Sequence, residues 1–197
     1  MKLFISSTLF ILTFQASFSQ NIYADSINRF ITNYVQSHEV VTGEDKKLMS
    51  FYPVNEQYLI KARFEKIENG GWFSMETSGA LKSINRVYGI MHFTINDTAV
   101  KLNIYQSQDL MNVTAYKEYL FLPFTDATTG EETYSGGRYI DLTIADIKNN
   151  NLVIDFNKAY NPYCAYVSGK YNCPIPPKEN RLAVAIKAGE KTFKKSH

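Results

Sequence analysis

The chain has 197 residues, 45% of them hydrophobic and 20% charged, a composition that argues against a disordered or fibrous polymer. Its formal net charge of +2 gives no electrostatic reason to expect a nucleic-acid or anionic-membrane partner. The 14 Tyr and 13 Phe suit the pleated, half-buried surfaces of β-structure.

The first elements in chain order are those of an export signal. Met1-Lys2 is a short positive start, Leu3 to Phe14 is apolar, and Ser17-Phe18-Ser19 supplies small residues at a cleavage site, so residues 1–19 read as a signal peptide. The apolar run falls short of the roughly 20 residues that span a bilayer, and no cysteine beside the site invites a lipid. The expectation is therefore an exported periplasmic or extracellular protein with no stable membrane insertion after cleavage, and a single β-rich domain over 20–197.

That domain opens with helix. Asp25 stands as an N-cap, and Ile27, Phe30, Ile31, Tyr34 and Val35 form one apolar stripe. Thr42 followed by Asp45 resembles a capping box for a second short helix through Met49, which Pro53 stops. From Gln57 the period becomes two. Ile60, Ala62 and Phe64 alternate with Lys61 and Arg63 in a half-buried strand. Asn69-Gly70-Gly71 turns the chain, so that Trp72–Thr77 returns as that strand's partner. Val87–Ile95 and Ala99–Gln106 flank Asn96-Asp97-Thr98 as a hairpin. Tyr119–Phe124, Arg138–Leu142, Leu152–Phe156 and Leu182–Ile186 complete the strands. The fold class is mainly β: a β-sandwich or barrel-like sheet with one or two N-terminal helices.

Familiar catalytic patterns are missing. The three histidines, His38, His92 and His197, lack the spacing of a zinc site, no Gly-x-Ser-x-Gly elbow presents a nucleophile, and no phosphate loop calls for a nucleotide; no metal or other cofactor is expected. His92 reads as a hydrogen-bonded strand histidine. Polar residues gather instead in two long segments, and long irregular loops often carry function. The first, Pro123–Tyr139, holds Asp126, Thr128, Thr133, Tyr134 and Arg138, with Gly136-Gly137 available for positive φ. Arg138 either clasps an anionic ligand or pairs internally with Asp126, Asp141 or Asp155. The second, Asp155–Arg181, holds Asn157, Tyr160, Asn161, Asn180 and Arg181, its amides suited equally to ligand contact and to satisfying loop backbone.

Cys164 and Cys173 read first as a disulfide, with a reactive thiol as the alternative. Asp126, Asp141 and Asp155 offer carboxylates for hydrolysis. The leading expectation is a small-molecule binding module for an anionic or carbohydrate ligand, its polar pocket lying between the two loops and lined by Asp126, Thr128, Thr133, Tyr134, Arg138, Asp155, Asn157, Tyr160, Asn161, Asn180 and Arg181. The rival is a hydrolase using Asp126 and Asp155, or a thiol enzyme using Cys164.

The two segments also carry a resemblance. Leu122–Asp141, Asp155–Tyr166, Cys173–Leu182 and Ala185–Glu190, together with Phe51–Val54 and Ser78-Gly79, resemble the bacterial and archaeal family known as domain of unknown function 1684. The resemblance implies a compact domain of this length and no established activity. Tyr163 departs from the family pattern, which has a proline there. Family members occur with and without export signals, which weakens a purely structural disulfide as the general reason for the cysteines.

Overall fold

The computed structural model describes residues 6–194, with side chains from residue 22 onward. The start of the expected signal segment, and the side chains of the rest of it, lie outside the described residues. Helix α1 runs Ser6–Ser37. Asp25 lies inside α1 rather than capping it, because no Pro or Gly interrupts the sequence between Ser6 and Ser37. The expected second helix is a 3-10 segment, Gly43–Leu48, and the Thr42 side chain makes no capping bond. Among the described residues no helix is long and apolar enough to cross a membrane.

Seven strands follow: β1 Leu59–Lys66, β2 Phe73–Met75, β3 Ser83–Ile95, β4 Thr98–Ser107, β5 Tyr119–Phe124, β6 Arg138–Thr143 and β7 Asn151–Asp155. They form one antiparallel sheet in the order β6-β5-β4-β3-β1-β7, with β2 added beside β3. The β3–β4 hairpin turns on Asn96 and Asp97, at φ 47° and 58°, a left-handed pair that Asn and Asp tolerate. The sheet curls around its apolar face. Ile60, Ala62 and Phe64 of β1, Leu102 and Ile104 of β4, Leu120 and Leu122 of β5, and Leu152 and Ile154 of β7 are buried in one cluster, as period-two alternation requires.

Two expected strands differ. Trp72–Thr77 does not return along β1; its central part, β2, pairs with Ser83–Asn85 of β3. Strand β3 is long enough for two partners on one side, β1 along Gly89–His92 and β2 at its start. The register shift between Val87 and Gly89 falls between them. Gly89 is required there, since a Cβ would lie 2.2 Å from the Phe64 ring. The second difference is Leu182–Ile186, which is irregular. Its backbone touches the end of the sheet through Leu182 N–H to Thr125 O (2.8 Å) and Ala127 N–H to Val184 O (3.2 Å). Side chains take over beyond that point.

A short element α2, Gln108–Met111, follows β4. The last described residues are held as far as Phe193. Lys191 N–H donates to Ser50 O (2.8 Å), Thr192 N–H to Glu132 O (3.0 Å), and Phe193 lies edge-on to Tyr166.

Candidate functional site

The loop joining β5 to β6 folds on itself. Thr128 O accepts N–H bonds from Glu131, Glu132 and Thr133. Gly137 turns the chain into β6 at φ +84°, where a Cβ would lie 2.7 Å from Phe124 O. At the start of β6, Arg138 is 1% exposed. Its guanidinium lies 3.4 Å from Asp126 and donates to Ile186 O (2.9 Å) and to Ala188 O. Asp126 accepts further bonds from the hydroxyls of Thr128 and Thr129 and from Ile186 N–H, and Thr128 meets the Thr133 hydroxyl at 3.0 Å. Asp126, Thr128, Thr133 and Arg138 are thus brought together in the interior, where they replace strand partners for the chain end. Tyr134 is half-buried over Gly136.

The asparagines and Asp155 serve other seams. Asn157 donates to Asn55 O, Tyr23 OH and Asp155, and accepts Asn55 N–H, binding β7 to the chain before β1. Asp155 accepts Tyr23 OH and Asn157 N–H. Asn180 bridges β4 and β5 where their ladder holds one register pair, Tyr105 with Phe121. Its amide donates to Asn103 O (2.8 Å) and Pro123 O (2.7 Å) and accepts Asn103 N–H (2.9 Å). Pro123 has no N–H for the ladder; the side-chain amide fills the gap. Asn161 donates its N–H to buried Glu190 (2.9 Å) and its amide to Lys191 O (2.8 Å). Arg181 is exposed.

Asp126 and Asp155 have no common partner, and their oxygens are occupied, so they are not arranged as an acid–base pair across a cleft. Cys164 and Cys173 form a disulfide, and no free thiol is present among the described residues. Nor do three or more His, Cys, Asp or Glu side chains gather as a metal site among them.

The concave site lies elsewhere, in a cavity of about 780 Å³. One wall is the end of α1, where Phe30, Tyr34 and Ser37 share a helix face and His38 follows. The second is the outer face of β6, with Tyr139 and Asp141. The third is the segment after β7, Lys158, Tyr160, Pro162 and Tyr163, running on to Tyr171, Asn172, Cys173 and Pro174 within and beside the disulfide loop. Tyr139 and Tyr160 exchange backbone bonds of 2.9 and 3.0 Å, so the third wall covers the edge of β6. Of the sequence candidates for ligand contact, Tyr160 lines this cavity. The others do not.

The tyrosines are fixed by their hydroxyls. Tyr160 OH donates to Asp141 (2.5 Å), which also accepts Tyr119 OH (2.7 Å). Tyr139 OH donates to Pro174 O, Tyr163 OH to Glu39, and Tyr34 OH to Glu190. Burial first, then neighbouring Tyr119 and Asp141, pushes Tyr160 well above the ordinary phenol range; burial and Glu190 do the same to Tyr34. These phenols stay protonated, and both residues line the hollow. Lys158 lies over the Phe30 ring, 5.4 Å from its centroid.

His38 and the Tyr34 face were not among the sequence candidates, and Asp141 was weighed as a carboxylate for hydrolysis or a partner of Arg138, not as a ligand contact. Tyr34 was counted in the apolar stripe of the helix, and its partners are more than a hundred residues away in the chain. The crowding of Tyr160, Tyr163, Tyr166 and Tyr171 in one irregular stretch was the available signal. His38 is buried, its Nδ1 accepting Val41 N–H at 2.9 Å, while Nε2 is buried without a protein partner. Burial, and then Lys46, holds its pKa below the usual imidazole value.

A family model described as "Protein of unknown function (DUF1684)" matches residues 46–191. No curated protein matches the chain. Among solved structures, the solution NMR structure of an uncharacterised Haloarcula marismortui protein is similar at 27% identity, with a TM-score of 0.61, covering 91% of this chain and 96% of that one.

Proposed function

Because the chain belongs to the DUF1684 family, whose description names no activity, its function is read from its own site, and we propose a small-molecule binding module that holds a saccharide in the aromatic cavity. The supporting observation is the orientation of the tyrosines. Four phenol hydroxyls are turned to protein acceptors, leaving the aromatic rings to line the walls with the Asp141 carboxylate beside them. A sugar matches that pattern, with apolar C–H faces for the rings and hydroxyl donors for Asp141 and Glu39. An anionic ligand has less to bind. Arg138 is enclosed, Arg181 lies off the cavity, and Lys158 shares the lining with two carboxylates, Asp141 and Glu39.

We place this binding outside the cytoplasm, a proposal supported by the signal-like residues 1–19 and by the Cys164–Cys173 disulfide. Calorimetric titration of the full chain with neutral oligosaccharides tests the function. Saturable binding that Tyr160→Ala weakens at least about tenfold, with the fold retained, is expected. No heat with any oligosaccharide overturns it.

A further inference from the structure

Asp141 is exposed on the outer face of β6 and belongs to the cavity lining. Two phenols fix it through a single oxygen: Tyr160 OH and Tyr119 OH both donate to Oδ1, at 2.5 and 2.7 Å. Burial above all pushes both phenols well above their ordinary range, so they remain donors and the carboxylate remains their acceptor. Oδ2 takes no hydrogen bond from any described residue, and Asp141 enters none of the ion pairs among them. The carboxylate is therefore held in place with one oxygen and its charge uncommitted.

We propose that the bound saccharide carries a protonated amine that pairs with Asp141, so that the ligand class is the amino sugars whose nitrogen is not acylated. This rests on the saccharide reading above and narrows it. The lining itself does not supply the missing positive charge. Lys158 lies over the Phe30 ring and makes no ion pair within 4.0 Å among the described residues. His38, held below the usual imidazole value by burial and then by Lys46, is neutral at about pH 7. Glu39 adds a second carboxylate. Two negative side chains thus stand against one positive in the lining of a chain whose formal net charge is +2. A neutral sugar closing over Asp141 would strip its water and return only hydroxyl donors, leaving the charge uncompensated. An ammonium group compensates it, and aromatic neighbours such as Tyr139 and Tyr160 suit a cation as well as a sugar ring.

The test titrates the full chain with β-1,4-linked glucosamine oligomers and with glucose oligomers of equal length and linkage, at about pH 7, where amines remain mostly protonated. The wild type is expected to bind the glucosamine oligomer about tenfold more tightly at low ionic strength, with the ratio shrinking as salt is added. The chain as a whole is positive, so non-specific attraction does not favour the cationic oligomer and the preference reports the site. Asp141→Asn keeps an Oδ1 acceptor for the two phenols but removes the charge, and is expected to lose most of the preference. Equal or weaker binding of the glucosamine oligomer by the wild type overturns the proposal and leaves saccharide binding standing; no binding of either oligomer overturns both. A preference that survives in Asp141→Asn overturns the role of Asp141. Should that variant fail to fold, the carboxyl carbon resonance of Asp141 in labelled wild-type protein decides. It should shift on saturation with the glucosamine oligomer, and a resonance that holds refutes the contact.

Discussion

Arg138 and Asp126 form an ion pair at 3.4 Å with side chains 0% and 1% exposed. The pair anchors a chain end that has no strand partner over Leu182–Ile186, because Arg138 holds the carbonyls of Ile186 and Ala188 while Asp126 holds Ile186 N–H. Breaking a buried pair from one side strands the other charge. Arg138→Met is therefore expected to cost about 3–5 kcal/mol, read as a lower denaturant midpoint at unchanged slope. Loss of oligosaccharide binding without loss of stability would instead restore Arg138 to a ligand site.

Glu190 gives a pH signature. Burial pushes its carboxyl up to about 7, against the bonds donated by Asn161, Tyr166 and Tyr34. An unfolded chain releases that proton at the ordinary Glu value, about 4.3. Between those limits the native state holds more protons than the unfolded one, so stability falls as pH rises. The contribution is fully present below the unfolded value and is lost as pH climbs through about 7, a difference of about 4 kcal/mol. Denaturant midpoints measured from pH 4.5 to 8 should show the decline, flattened in Glu190→Gln. A rise with pH in the wild type that Glu190→Gln abolishes would contradict the assignment.

The disulfide closes a loop with a sequence separation of 9 that carries Tyr171 and Asn172 of the cavity wall. Loop-closure entropy assigns it roughly 2.5 kcal/mol. Reduction, or the Cys164→Ser and Cys173→Ser double variant, should lower stability by about that amount and weaken oligosaccharide binding further, because the third wall loses its tie. Unchanged affinity after complete reduction would show that the wall stands without the bond.

The sheet was legible where apolar residues alternate and turns are marked. β1, β5 and the β3–β4 hairpin follow from Ile60-Ala62-Phe64, Leu120-Leu122 and Asn96-Asp97. Pairing was less so, since nothing local in Trp72–Thr77 says that β3 rather than β1 receives it. The site was obscured for a related reason. An arginine, an aspartate and three asparagines in loops read alike whether they face a ligand or complete the backbone's hydrogen bonding, and here Arg138, Asp126, Asn157, Asn161 and Asn180 do the second. The cavity joins Tyr34 and His38 to Tyr139, Tyr160 and Tyr171 across distant stretches of chain, a juxtaposition that only the fold creates.

The most direct measurement is a nuclear magnetic resonance titration of the nitrogen-labelled full chain with a neutral oligosaccharide that calorimetry shows to bind. Saturating shifts are expected at the backbone amides of Tyr34, His38, Tyr139, Tyr160 and Tyr171, with the outer face of β1 and β3 unmoved. A spectrum that does not change, or one whose changes cluster away from those residues, contradicts the assignment of the cavity as a saccharide site.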